Sequence, residues 1–156
     1  MGFLKNLKKG FTDAVGGMKG EWSKFTNNEF LEAAVAVAYL IGISDGDFDA
    51  DEKQMMVDMI KANPMLESFT QTDITDAYQK IDKLYGLAVP MGNINAMKVV
   101  EGITDGEQKQ ALLHFACLIT LGDGSVEDCE VARATEIAKT LGISYQDTFK
   151  EFGLTS

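Results

Sequence analysis

Residues 30–52 read FLEAAVAVAYLIGISDGDFDADE, and residues 108–130 read QKQALLHFACLITLGDGSVEDCE. Each is an apolar run that breaks into an acidic segment. A shift of 78 residues superposes them without a gap. Ala33 falls on Ala111, Ala38 on Ala116, Leu40 on Leu118 and Ile41 on Ile119; Asp45-Gly46 falls on Asp123-Gly124, Asp49 on Glu127, Glu52 on Glu130 and Lys61 on Lys139. The shared pattern is an apolar helix, then Asp-Gly-x-[Phe/Val]-[Asp/Glu]-x-x-Glu, then an amphipathic helix. A repeat of this kind uses one supersecondary unit twice, because a single unit cannot bury its apolar face alone. It predicts an all-α single domain of about seven helices, made of two pseudo-symmetric helix–acidic loop–helix halves packed face to face. Phe48 and Val126, apolar between the acids, are expected to anchor the two loops to the core.

The flanking segments supply the other helices. Asn27 or Asn28 can cap the first. Glu52 to Ile60 carries helical spacing and is stopped by Asn63-Pro64. Ile74, Ala77, Tyr78, Ile81, Leu84 and Tyr85 share one helical face that ends near Gly86. A shorter helix is expected over 91–101. Thr104 with Glu107 reads as a capping box for a helix through Leu121. Val131, Ala134, Ala138 and Leu141 mark the next helix, with Gly142 as its stop. Ser144 with Asp147 reads as the start of a last short helix to about Phe152. No window shows the alternation of a strand.

The 156 residues are 46% apolar, enough to bury a core. No apolar run reaches the length of a membrane span, and the N-terminus lacks the apolar stretch of a signal peptide. Cys117 and Cys129 are read as free thiols of a reducing compartment, which predicts a cytoplasmic protein. The charge of −10 is uneven. Residues 1–24 carry five lysines against Asp13 and Glu21, a net +3, which leaves −13 on residues 25–156. A body that acidic repels nucleic acid and attracts cations or basic surfaces.

Two regions follow: a basic amphipathic arm over 1–26 and a helical domain over 27–153. In the arm Leu4, Leu7, Phe11, Ala14, Met18, Trp22 and Phe25 recur at helical steps, while Gly10, Gly16, Gly17 and Gly20 weaken any helix. Residues 1–24 therefore read as a helix for a membrane surface or a partner, or else as a frayed arm or a first helix docked on the core. Gly2 does not fit N-myristoylation, since Asn6 stands where that pattern has Ser or Thr.

The acidic loops are the candidate site. Residues 45–52 hold five carboxylates and residues 123–130 hold four. Crowded anions are tolerable when solvated, when they cap the following helix, or when they bind a cation. Oxygen-only donors suit calcium, magnesium or manganese. An EF-hand would match Asp45, Asp47 and Asp49, but Ala50 stands at its turn glycine and Met56 at its closing glutamate. A different carboxylate site is expected, built from Asp45, Asp49 and Glu52 with Asp123, Glu127 and Glu130. The competing reading makes Asp45 and Asp123 loop-amide acceptors, with Glu52 and Glu130 in first helical turns; the two readings are compatible.

The doubled Asp-Gly-x-x-[Asp/Glu]-x-x-Glu loop after an alanine-rich helix resembles the TerB family of tellurite-resistance proteins, over roughly residues 29–152. The resemblance implies an all-helical cytoplasmic protein, partly associated with the inner membrane face. It also implies work beside other tellurite-resistance proteins, the membrane protein TerC and the calcium-binding TerD group. The acids carried over are the six just named; Asp47 and Asp51 face Ser125 and Cys129 in the repeat and lack acidic counterparts.

The charge bears on what resistance means here. Tellurite is an oxyanion, and a body at −13 repels it. Its reduction needs thiols or a redox cofactor, and Cys117 lies in an apolar helix where a thiol is inert. No organic cofactor is expected. Enzymatic chemistry finds little support: His114, the single histidine, falls on Ala36 in the apolar helix, and no GxSxG, P-loop or dinucleotide fingerprint is present. The expected role is that of a divalent-cation-binding adaptor in a membrane-associated complex. The alternative is a metal-independent interaction module with a solvated acidic surface.

Overall fold

Phe30 to Gly42 contains one charge, Glu32, so a helix there is apolar on every side and must lie inside the protein. In the computed structural model, which describes residues 26–46, 48–61, 66, 68–121 and 126–154, that helix is the centre of the fold. α1 spans Asn28–Gly42, and all of its residues from Phe30 onward except Glu32 are buried. Around it stand α2 (Ala50–Lys61), α3 (Gln71–Leu84), α4 (Val89–Glu101), α5 (Gly106–Leu121), α6 (Asp128–Leu141) and α7 (Gln146–Glu151). Among the described residues the protein is all-α, with seven helices and no strand. α1 packs on α3, α4, α5 and α6. The helices after the two acidic loops are seated differently: α2 lies mainly on α3, whereas α6 lies on α5, α4 and α1.

Local chemistry sets the boundaries. Asn27 caps α1, its Oδ1 accepting from Phe30 N at 2.7 Å. Asp49 does the same for α2, accepting from Glu52 N at 2.8 Å. Thr70 and Asp73 form a reciprocal capping box at α3. Pro90 stands in the first turn of α4, where its missing N–H is harmless. Gly142, at φ 71°, ends α6 in the left-handed conformation that favours glycine. Two caps differ from expectation. Asp105, not Thr104, accepts from Gln108 N at 3.0 Å, because α5 begins one residue later than the Thr104–Glu107 pattern requires. Ser144 does not cap α7; its hydroxyl donates to Gln146 Oε1 instead, and Tyr145 is the residue before the helix.

One contact fixes how closely α4 approaches the α3–α4 turn. A Cβ added at Gly92 would lie 2.2 Å from Tyr85 Cδ1 and 2.4 Å from its Cγ. That ring is stacked on Tyr39, and its hydroxyl donates to Asn93 Oδ1 at 2.8 Å. It cannot retreat without breaking both contacts. Gly92→Ala is therefore expected to destabilise the protein by about 1–3 kcal/mol despite the better helix propensity of alanine. Urea unfolding measures this, and an unchanged or raised midpoint would contradict the crowding.

Candidate functional site

α1 ends at Gly42 and α2 begins at Ala50, so the first acidic loop is only residues 43–49. An EF-hand spreads its ligands over about twelve residues with a turn at the sixth, but here the sixth position from Asp45, Ala50, already begins α2. That reading is excluded by length as well as by sequence. The loop is instead a tight turn. Ser44 N donates to Ile41 O at 3.1 Å and Gly46 N to Ile43 O at 2.9 Å, with Gly46 at φ 86°. Phe48 folds back edge-on to Tyr39, with ring centroids 5.1 Å apart, and anchors the loop as the sequence predicts. Val126 does not play this part in the second loop, because it is 41% exposed. The second loop follows α5; its residues 122–125, including Asp123, lie outside the described residues, as does Asp47.

The two loops meet. Ser44 Oγ lies 3.7 Å from Cys129 Sγ, and Cys129 Sγ lies 3.6 Å from Glu127 Oε2. One turn deeper, Arg133 of α6 donates through Nη1 to Leu40 O at 3.0 Å. Leu40 is in the last turn of α1, where carbonyls have no intrahelical partner and a cation is favoured. The chain's only arginine thus closes the end of its central helix.

Between the loops lies a cavity of about 30 Å³ lined by Ile41, Gly42, Ser44, Asp45, Glu52, Glu127 and Glu130. Room for a water or a small ion requires roughly half that volume. Four of the six predicted acids face this cavity. Glu52 and Glu130 are buried, at 8% and 3% exposure, while Asp45 and Glu127 sit at the exposed rim. Both buried glutamates stand in first helical turns, as expected. Glu130 turns back to accept from Glu127 N at 3.3 Å. Asp49 is spent on the cap of α2 and does not line the cavity. The donor set is oxygen only, which fits calcium, magnesium or manganese. Among the described residues no group of three or more His, Cys, Asp or Glu side chains is placed to hold a metal ion as it stands.

A second cluster, missed at the sequence level, supports the loop from behind. The Tyr39 hydroxyl donates to Asp82 Oδ1, and Lys53 Nζ reaches the same oxygen at 3.2 Å. The Lys53 ammonium also stands 5.9 Å from the Tyr39 ring centroid. Burial raises the Tyr39 pKa far above its ordinary value, and the neighbouring Asp82 adds to it. Burial likewise raises Tyr85, against a smaller lowering by Arg133. Tyr39 falls on Cys117 in the repeat, so register alone gives no sign of a polar group here. Cys117 is fully buried, and burial pushes its thiol up to about 12. His114 is half-buried beside Gln110 and Phe152.

Comparison with known proteins agrees with this architecture. The family model described as "Tellurite resistance protein TerB" matches residues 31–150. A protein named "Tellurium resistance protein TerB" from Alcaligenes sp is 20% identical over 105 residues, covering 67% of this chain and 86% of that protein. No solved structure matches the chain. The matched span takes in both acidic loops and five complete helices, α2 to α6, together with most of α1 and of α7. With most of its length accounted for by that family model, the chain belongs to the TerB family of tellurite-resistance proteins.

Proposed function

We propose that this protein serves tellurite resistance indirectly, as a non-enzymatic adaptor that binds a divalent cation between its two acidic loops. The observation that carries this reading is the shared cavity. Two buried glutamates, Glu52 and Glu130, come from different halves of the sequence and line it together with Asp45 and Glu127. Carboxylate oxygens converging from both loops on a space that admits a small ion form the hard, oxygen-only donor set that divalent cations take. Direct chemistry on tellurite is disfavoured by the −13 body and by the Cys117 thiol, which stays protonated at neutral pH. The partners in this reading are the TerC and TerD-group proteins implied by the family, at the inner membrane face. No helix among the described residues is long and apolar enough to cross a membrane. Attachment would therefore be peripheral, through residues 1–24, which lie outside the described residues.

Calcium or manganese titration followed by backbone NMR tests the site. Shifts or broadening should be confined to residues 44–52 and 122–130. Glu52→Gln with Glu130→Gln should weaken the response by at least about tenfold, the loss of roughly 1.4 kcal/mol of binding. No response at millimolar metal would remove the cation and leave the metal-independent interaction module. For the membrane, sedimentation with anionic vesicles should retain the full chain and not a chain lacking residues 1–24; equal retention of both would remove the arm from that role.

A further inference from the structure

The exposed side of α4 changes character along its length. Leu87, just before the helix, is 94% exposed, and Met91 and Ile94 follow at 51% and 54%. Met91 and Ile94 are neighbours on one helical face, and Leu87 stands in the extended segment that leads into it. The same face continues into the exposed Lys98 and Glu101. Adjacent exposed apolar side chains on one helix face are a candidate docking surface. At the charged end a groove of about 250 Å³ opens between Glu29, Glu32, Lys98, Val99, Gly102 and Ile103. Glu29 and Glu32 belong to the first turns of α1, so the groove lies beside the point where the preceding chain joins the domain.

We propose that the groove and the apolar face of α4 are the docking surface for the chain's own N-terminal arm, residues 1–25. Three observations select this occupant. The first is position. The groove touches the first turn of α1 and the last turn of α4, while the ring of Tyr85, stacked on Tyr39 near the other end of α1, abuts Gly92 in the first turn of α4. α1 and α4 are therefore antiparallel, so a chain that reversed at Asn27 would run along α4 toward Leu87. The second is length. α4 has 13 residues, about 20 Å of helix, while residues 4–25 span roughly 32 Å even at helical rise. The third is the order of chemistry. In the sequence Lys19, Trp22, Lys24 and Phe25 stand nearest the junction, where the groove offers Glu29, Val99 and Ile103 beside Glu32, which already holds Lys80; Phe11, Leu7 and Leu4 stand farther from the junction, as do Ile94, Met91 and Leu87. An arm of net +3 meets a body of −13. The residues it would bury are those that would enter a bilayer, so docking in cis competes with membrane attachment.

Trp22 is the only tryptophan and reports on the arm without a label. In the full chain its acrylamide quenching should be at least about twofold weaker than in a peptide of residues 15–29, because a docked indole is shielded from water. Methyl NMR of the full chain gives the second readout. Leu7→Ser with Phe11→Ser should shift the methyl signals of Leu87, Met91 and Ile94 and leave Ile137 in the core unmoved. These substitutions lie outside the helical domain, so they leave its fold intact. Quenching equal to the peptide, or unchanged methyl signals at α4, overturns the proposal. Methyl shifts that depend on protein concentration overturn it in favour of a second copy, and shielding of Trp22 that appears only with anionic vesicles overturns it in favour of a membrane. Neither readout involves a divalent cation, so failure here is distinct from failure of the cation site.

Discussion

At about pH 11 the helical signal of this protein is expected to be lost. Three buried groups drive the loss. Burial raises the pKa of Tyr39 and Tyr85 well above that of an ordinary phenol and pushes the Cys117 thiol up to about 12. In the unfolded chain the thiol ionises near 8.5 and the phenols near 10. All three folded values lie above the unfolded ones, so the unfolded chain releases its protons first and binds fewer. Stability is then fully present below about pH 8 and falls as pH rises. Each group contributes about 1.4 kcal/mol per pH unit once its unfolded value is passed. The thiol alone acts up to about pH 10, and the three together remove roughly 4 kcal/mol over the next unit. Set against the 5–15 kcal/mol typical of domains, that is enough to unfold one of ordinary stability. Far-UV circular dichroism recorded with tyrosinate absorbance measures it. Helix loss and buried-tyrosine ionisation should coincide in one transition. Full tyrosine ionisation near pH 10 with the helices intact would contradict the burial argument.

Tyr39→Ala is expected to cost about 3–5 kcal/mol, the range for removing a large buried aromatic. Tyr39 is fully buried and sits at the meeting point of Tyr85, Phe48 and Tyr78, whose ring centroids lie 5.0, 5.1 and 6.1 Å away. Its hydroxyl also serves Asp82, which would be left to Lys53 alone. Tyr39→Phe separates the two parts, since it keeps the rings and loses only the hydroxyl, a cost of about 1–3 kcal/mol. The alanine variant should also act on the loop. Phe48 packs on Tyr39 from between Gly46 and Asp49, so its loss of a wall should loosen residues 43–49 and weaken any cation response there. Urea unfolding reads the stability, and a loss below about 1 kcal/mol for the alanine variant would refute the keystone role.

The helices were legible because their signals are local. Apolar spacing located α2, α3 and α6, the apolar run located α1, cap patterns pointed to α5 and α7, and Asn27 and Gly142 marked two ends correctly. Thr104 and Ser144 misled because a hydroxyl followed three residues later by an acid is a weak pattern. Asp105 could cap equally well one position on, and only the packing of α5 decides between them. The joining of the acidic loops was legible in part, from the register of Glu52 with Glu130. What the repeat could not convey is inequality. Phe48 is anchored and its counterpart Val126 is exposed, because Tyr39 offers Phe48 an aromatic wall. Asp49 caps a helix rather than facing the cavity, a role set by where α2 begins. The contacts of Arg133 with Leu40 and of Cys129 with Ser44 join residues 93 and 85 positions apart. No periodicity encodes such pairs, although a single arginine in an acidic chain was a hint.

Those two contacts share a geometry. Residues 40 and 44 are four apart around the end of α1, and residues 129 and 133 are four apart on α6. Together they act like two adjacent teeth of a zip running in opposite directions on its two sides. Replacing a tooth weakens the closure at one point. Inserting or deleting a single residue between 129 and 133 turns the two residues by about 100° relative to each other around the helix, so the two contacts cannot be held at once. The short interval from 129 to 133 is therefore locked to its count.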